Sequence, residues 1–192
     1  MRFNKTPKTI DEQIQLLQSR GMEIDDIEQA RHYLSHINYY RLAGYWIPFE
    51  INHETHEFKT GTNFNQVISL YDFDRELRLI ILDMIERIEV SFRTQLAYFM
   101  AHYHGSHSYL DSSLARRSQY WKDNLKSLKR EISQSDELFI QHYQNKYTDP
   151  PYPPVWSVCE IMSFGLLSRW FKNLRPMKTR KAISAIYQLD NK

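Results

Sequence analysis

FNQVISLYDFDRELRLIILDMIERIEVSFRTQLAYFMAH, residues 64–102, contains neither glycine nor proline along its whole length. Apolar residues recur in it at helical spacing: Leu70, Leu77, Ile81, Met84, Ile88, Phe92 and Phe99 fall on one face at 100° per residue. A single helix of roughly 40 residues extends about 60 Å at 1.5 Å per residue, far beyond the usual 10–14 residues. The run therefore predicts either one spine helix, over about 64–104, or two helices meeting at a tight joint. Either outcome makes the chain all-α.

The opposite face carries Asp72, Arg75, Glu76, Asp83, Glu86, Arg87 and Arg93. Asp74–Arg78, Asp83–Arg87 and Glu89–Arg93 are acid-before-base pairs at i, i+4, the favourable orientation, each worth about 0.2–0.5 kcal/mol to the helix. That structural account covers most of them. Asp74, Glu86, Glu89 and Arg93 are retained as a candidate polar seam that could orient a catalytic or RNA-contacting group. Asp74 stands out because it projects from the apolar face and needs a partner.

Outward from this run the punctuation is helical. Thr9 and Glu12 form a capping box ahead of a helix stopped by Gly21, and Asp25 or Asp26 caps a second helix to about Ile37. An aromatic segment, residues 36–50, is broken at Gly44 and Pro48. Residues 50–62 are polar and predict a loop or short hairpin. Later helices are expected over about 118–133, from a Ser135 cap to Tyr147, over 155–173 after the proline-rich DPPYPPVW, and over about 178–189. In all, seven or so helices are predicted.

Composition narrows the classes of function. With 42% hydrophobic and 14% aromatic residues among 192, the chain is a folded protein of one domain, residues 1–192. Its single Cys159 excludes an internal disulfide and sits in an apolar run, which fits a buried thiol and a reducing, cytoplasmic setting. No stretch approaches 18 uninterrupted apolar residues, and the amino terminus lacks the apolar core of a signal peptide, so no membrane partner is expected. The net charge of +2 hides an asymmetry: residues 165–192 hold seven bases against one acid, and residues 116–131 six against two. Arg169, Lys172, Arg175, Lys178, Arg180 and Lys181 are accordingly candidates for RNA binding.

Other chemistry lacks its parts. Five scattered glycines make no phosphate loop, and no Gly-x-Ser-x-Gly or HExxH motif occurs. No cofactor is implied. His102, His104 and His107, and His53 and His56, lack metal-ligand spacing, so no metal site is expected. Arg31 and His36 formally fit the Arg-x4–6-His signature of HEPN-type ribonucleases. This is a weak catalytic candidate, since a chain rich in arginine and histidine meets that spacing by chance.

Four blocks in order carry a resemblance: INYYRLAGYWIPF (37–49), LYDFDRELRLIILDMIERIEVSFRTQLAYF (70–99), FIQHYQNKYTDPPYPPVWSVCEIMSFGLLSRWFKNL (139–174) and AIYQLD (185–190). Together they are similar to the Abi family of bacterial abortive-infection proteins, the AbiD/AbiF group. The resemblance implies a HEPN-like helical bundle, a role in phage defence, RNA as target and a homodimer. It further implies that the family's Arg-Asn-x-x-x-His-like motif lies beyond the equivalent of AIYQLD, on a helix absent here, leaving this chain catalytically incomplete. Arg31 and His36 do not occupy that family position. The competing expectation is a non-enzymatic helical module that binds RNA or a protein through its basic segments.

Overall fold

Asn63 starts the spine. Its side-chain Oδ1 accepts from the Asn65 amide at 2.8 Å and its own amide donates to Gln66 Oε1 at 3.0 Å, which caps a continuous helix, α4, over Phe64–His104. Gly105, at φ +94°, closes it, its amide returning to the Ala101 carbonyl at 2.9 Å. Of the two arrangements the sequence allowed, the single 41-residue helix is the one formed. All three i, i+4 ion pairs are made, at 3.0 Å for Asp74–Arg78, 3.1 Å for Asp83–Arg87 and 2.7 Å for Glu89–Arg93.

The computed structural model describes residues 6–188. Leu189, Asp190 and Lys192, used above in the predicted last helix, the AIYQLD block and the charge count, lie outside them. Among the described residues the chain is all-α, with nine α-helices and one two-stranded hairpin. It divides into two compact units between Leu82 and Asp83.

The first unit holds α1 (Ile10–Ser19), α2 (Ile27–His36), α3 (Tyr39–Trp46), the hairpin β1 (Glu50–Asn52) and β2 (Glu57–Phe58), and the start of α4. The Thr9–Glu12 capping box is present in full. At the far end of α1 the amides of Gly21 and Met22 return to the carbonyls of Gln18 and Leu17, with Gly21 at φ +94°. Asp26, rather than Asp25, caps α2 by accepting from the Gln29 amide at 2.9 Å. The core gathers Leu17, Ala30, Leu42, Trp46, Phe64 and Val67. α3 runs straight through Gly44, where the aromatic segment had suggested a break, because buried Leu42 and Trp46 hold it on both sides.

The second unit holds the remainder of α4, α5 (Ser118–Ser133), α6 (Leu138–Lys146), α7 (Val155–Ile161), α8 (Phe164–Asn173) and α9 (Met177–Ile186). Its core is built on Trp121, Leu128, Ile140, Val158, Leu166 and Trp170, with Trp121 and Trp170 edge to face at 4.5 Å. The helix expected over 155–173 is two helices, because Ser163 caps α8 by accepting from the Leu166 amide at 3.3 Å. Helix α6 starts three residues after Ser135, whose hydroxyl instead accepts from the Glu137 amide.

One difference concerns α4 itself. Its ends are packed, through Phe64, Val67 and Ile68 at the start and Leu96, Ala97 and Met100 near the close. The apolar face between them is not: Leu77, Ile81, Met84 and Ile88 are all 41–55% exposed. Periodicity identifies which residues share a face, but not whether anything covers it.

Candidate nucleic-acid interface

A concave feature lies within the second unit, where the start of α5 meets the end of α8. Asn173, the last residue of α8 and 5% exposed, clamps the two chain segments. Its Oδ1 accepts from the Arg117 amide at 3.0 Å and its Nδ2 donates to the Arg117 carbonyl at 3.0 Å. Its own carbonyl accepts from the Arg116 amide at 2.8 Å, and the Leu114 carbonyl accepts from the Arg175 amide at 2.7 Å. A bridge between Ala115 and Leu174 completes the seam.

This clamp gathers charge. A recess of about 770 Å³ is lined by Arg116 and Arg117, by Tyr120, Asp123, Asn124 and Ser127 of α5, and by Arg169, Lys172 and Asn173 of α8. Four cations face one carboxylate, and Asp123 is engaged by Gln119 Nε2 at 3.0 Å. The first turn of α5 adds to the positive field, because no side chain caps its amides. Arg117 lies 5.4 Å above the Tyr120 ring, which is 52% exposed. Beneath them Asn124 is 5% exposed, and its buried Nδ2 has no protein acceptor. An uncommitted amide donor in a wall where four cations outnumber one carboxylate suits an anionic oxygen. Two turns beyond Asn124 along α5, burial raises the Glu131 carboxyl above its ordinary pKa against the opposing pull of Arg130 and Arg169.

The candidates from sequence divide accordingly. Arg169 and Lys172 line the recess, whereas Arg175, Lys178, Arg180 and Lys181 do not. Lys178 Nζ sits 4.4 Å over the Tyr103 ring and the Arg180 guanidinium 5.9 Å over Phe171. Sequence reasoning did not single out Arg116, Arg117, Tyr120, Asn124 or Asn173. The signal available for them was the second basic stretch, residues 116–131, which the fold brings beside the first.

The seam candidates separate. Asp74 finds its partner in Tyr45, whose hydroxyl donates at 2.6 Å, together with Arg78 at 3.0 Å; that contact raises the Tyr45 pKa. Arg93 donates to Glu89 at 2.7 Å and to the Met162 carbonyl at 3.0 Å, so it ties α4 to the break between α7 and α8. Glu86 is exposed and has no ion-pair partner among the described residues. Arg31 is held by Asp11 at 2.8 Å and by Glu28, which drives its pKa up further. His36 Nδ1 rests 2.9 Å from both the His32 carbonyl and Ser35 Oγ.

Among the described residues no cluster of three or more histidine, cysteine or acidic side chains could hold a metal ion. His53 and His56 both turn to the buried Glu50. His102, His104 and His107 each take a different partner: the Tyr98 carbonyl, Thr179, and the Tyr143–Tyr152 pair. Cys159 is buried, and desolvation pushes its thiol up to about 12, so it is no nucleophile. No helix among the described residues is long and apolar enough to cross a membrane.

Comparison with known proteins returned no matching curated protein and no matching solved structure. A family profile described as Abi-like protein matches residues 32–192, which takes in α3, the whole spine helix and both sides of the basic recess. That match covers most of the chain and supports a function of the abortive-infection kind: the chain belongs to the Abi-like protein family.

Proposed function

We propose that this chain is an RNA-directed effector of abortive infection, acting in the cytoplasm during phage defence, and that it holds the phosphate backbone of single-stranded RNA in the α5–α8 recess. The observation that carries this reading is the convergence of Arg116, Arg117, Arg169 and Lys172 around the buried, uncommitted amide of Asn124. Phosphate contacts supply sequence-independent affinity, and the exposed Tyr120 ring offers a face on which an unpaired base stacks. The all-α build around one long helix is compatible with a HEPN-like bundle.

On this reading the described residues bind RNA and do not cleave it. Arg31, the arginine of the chain's Arg-x4–6-His match, is engaged by two carboxylates in the first unit. The recess itself has no histidine among its lining residues, and so lacks the usual general base for a 2′-hydroxyl.

The test is the affinity of a fluorescently labelled single-stranded RNA measured against salt. Four phosphate contacts give a slope of log K against log salt of about −2.8, at 0.7 per contact for single strands, hence roughly a 50-fold loss between 50 and 200 mM. The double variant R169Q/K172Q leaves two contacts and a slope of about −1.4. A slope unchanged by the double variant, or no binding by the parent protein, refutes the RNA reading. RNA cleavage by the parent protein refutes the claim that it is catalytically incomplete.

A further inference from the structure

The recess between α5 and α8 is shut at one end. The Arg116 amide donates to the Asn173 carbonyl at 2.8 Å, the Arg175 amide to the Leu114 carbonyl at 2.7 Å, and a bridge joins Ala115 to Leu174. Residues 114–117 are thus zipped to residues 173–175, and backbone fills the place where α5 begins and α8 stops. Between the two helices the floor is packed as well, by the buried edge-to-face pair of Trp121 and Trp170. A strand that enters this recess cannot leave through the seam.

We propose that the recess takes the phosphorylated end of an RNA strand, a phosphate monoester with its own nucleotide, rather than a run of internal phosphodiesters. The inference rests on the RNA reading above and names the part of the strand that the site selects. Beside the closed seam, charge and donor placement support it.

An internal phosphodiester carries one negative charge. A phosphate monoester carries about −1.5 to −2 at pH 7 and offers three acceptor oxygens. Arg116 and Arg117 on one side and Arg169 and Lys172 on the other oppose a single carboxylate, Asp123, which Gln119 already engages. That surplus of positive charge within one recess matches the more highly charged end group. The three guanidinium forks can each meet two oxygens of one phosphate.

Asn124 separates the two ligands. It is 5% exposed and its Nδ2 has no protein acceptor, so it meets an anionic oxygen only where a ligand reaches the floor. A diester has a sugar on both sides, which holds its phosphorus away from a buried donor; a terminal phosphate is substituted on one side only. Tyr120 stands one turn from Asn124 on the same face of α5. Arg117 Nη1 donates to its hydroxyl at 3.3 Å, which steadies the ring by its edge and leaves a face for the terminal base.

Fluorescence anisotropy at low salt with three RNAs of one short sequence tests this: unphosphorylated, 5′-monophosphate and 3′-monophosphate. One of the two phosphorylated RNAs is expected to bind about 10- to 100-fold tighter than the unphosphorylated strand, the worth of charge-assisted hydrogen bonds. The gain belongs to one end because Asn124 and Tyr120 fix a single placement of phosphate and base, in which the 5′ and 3′ esters differ. N124L, close in volume but without a donor, narrows that ratio toward one, with circular dichroism checking the fold. A ratio retained in full by folded N124L overturns the proposal. Equal affinity for all three RNAs, or equal gains at both ends, overturns it too and leaves the RNA reading standing. Refusal of all three RNAs, whether or not free uridine monophosphate binds, overturns the RNA reading and this inference with it.

Discussion

Replacing Asn173 by alanine probes how the basic recess is built. The side chain makes one hydrogen bond to each backbone polar group of Arg117, both at 3.0 Å, and is itself 5% exposed. Each bond contributes about 1 kcal/mol net, and leaving a buried partner unsatisfied costs about 1–3 kcal/mol. Arg117 is exposed, so water reaches part of its backbone, and the combined cost settles near 2 kcal/mol. For a chain of this size that lowers Tm by about 4–8 °C. N173D separates the two bonds. It keeps an acceptor for the Arg117 amide but sets a carboxylate oxygen against the Arg117 carbonyl, so its stability falls close to that of N173A while its RNA affinity drops further, through the added negative charge. Thermal unfolding together with RNA anisotropy at 50 mM salt reads both effects. A loss below about 0.5 kcal/mol for N173A, within the range of ordinary surface substitutions, with RNA affinity unchanged, refutes the claim that this residue assembles the recess.

Other outcomes follow from single contacts. His104 lies 2.7 Å from the fully buried Thr179, and burial lowers its pKa below the usual 6.5, Lys178 adding to the effect and Asp111 opposing it. The unfolded chain therefore binds the proton first as pH falls, so stability declines as pH drops through 6.5 and below; urea unfolding at stepped pH reads this slope, which H104Q flattens. G21A forces φ +94° on a residue with a Cβ and costs about 1–2 kcal/mol; the added atom lies 3.7 Å from the Phe58 carbonyl, an ordinary contact, so the loss comes from the backbone, and G21N recovers part of it. Cys159, buried with its thiol pushed up to about 12, resists an aromatic disulfide reagent in the native state and reacts at the rate of unfolding; rapid native labelling contradicts that placement.

The local signals in the sequence were strong where one interaction decides the outcome. The Thr9–Glu12 box, the stop at Gly21 and the three ion pairs of α4 depend on residues within one turn of each other, and all are present. The break between α7 and α8 was missed because Ser163 lies inside a run whose hydrophobicity reads as one helix, and its capping bond to the Leu166 amide outweighs continuity. The reach of α3 through Gly44 was missed for the opposite reason. A tertiary core on both sides of a glycine exceeds its roughly 1 kcal/mol propensity cost.

The recess shows why charge counts along a chain are a poor guide to sites. Summing residues 165–192 placed Arg169 and Lys172 on equal terms with Arg175, Lys178, Arg180 and Lys181, yet only the first two line it. The difference is one of helix geometry. Arg169 and Lys172 are three apart on α8, which sets them on the same face beside α5. Lys178 and Arg180 follow the turn at Pro176 and settle over aromatic rings instead. What joins the two basic stretches is a neutral residue, Asn173, and its role depends on meeting a backbone segment 56 positions away. Composition is blind to such a residue because it adds no charge and no hydrophobicity. A buried asparagine at a helix end beside basic residues is therefore the pattern to look for when an anion site is sought in a helical protein of this kind.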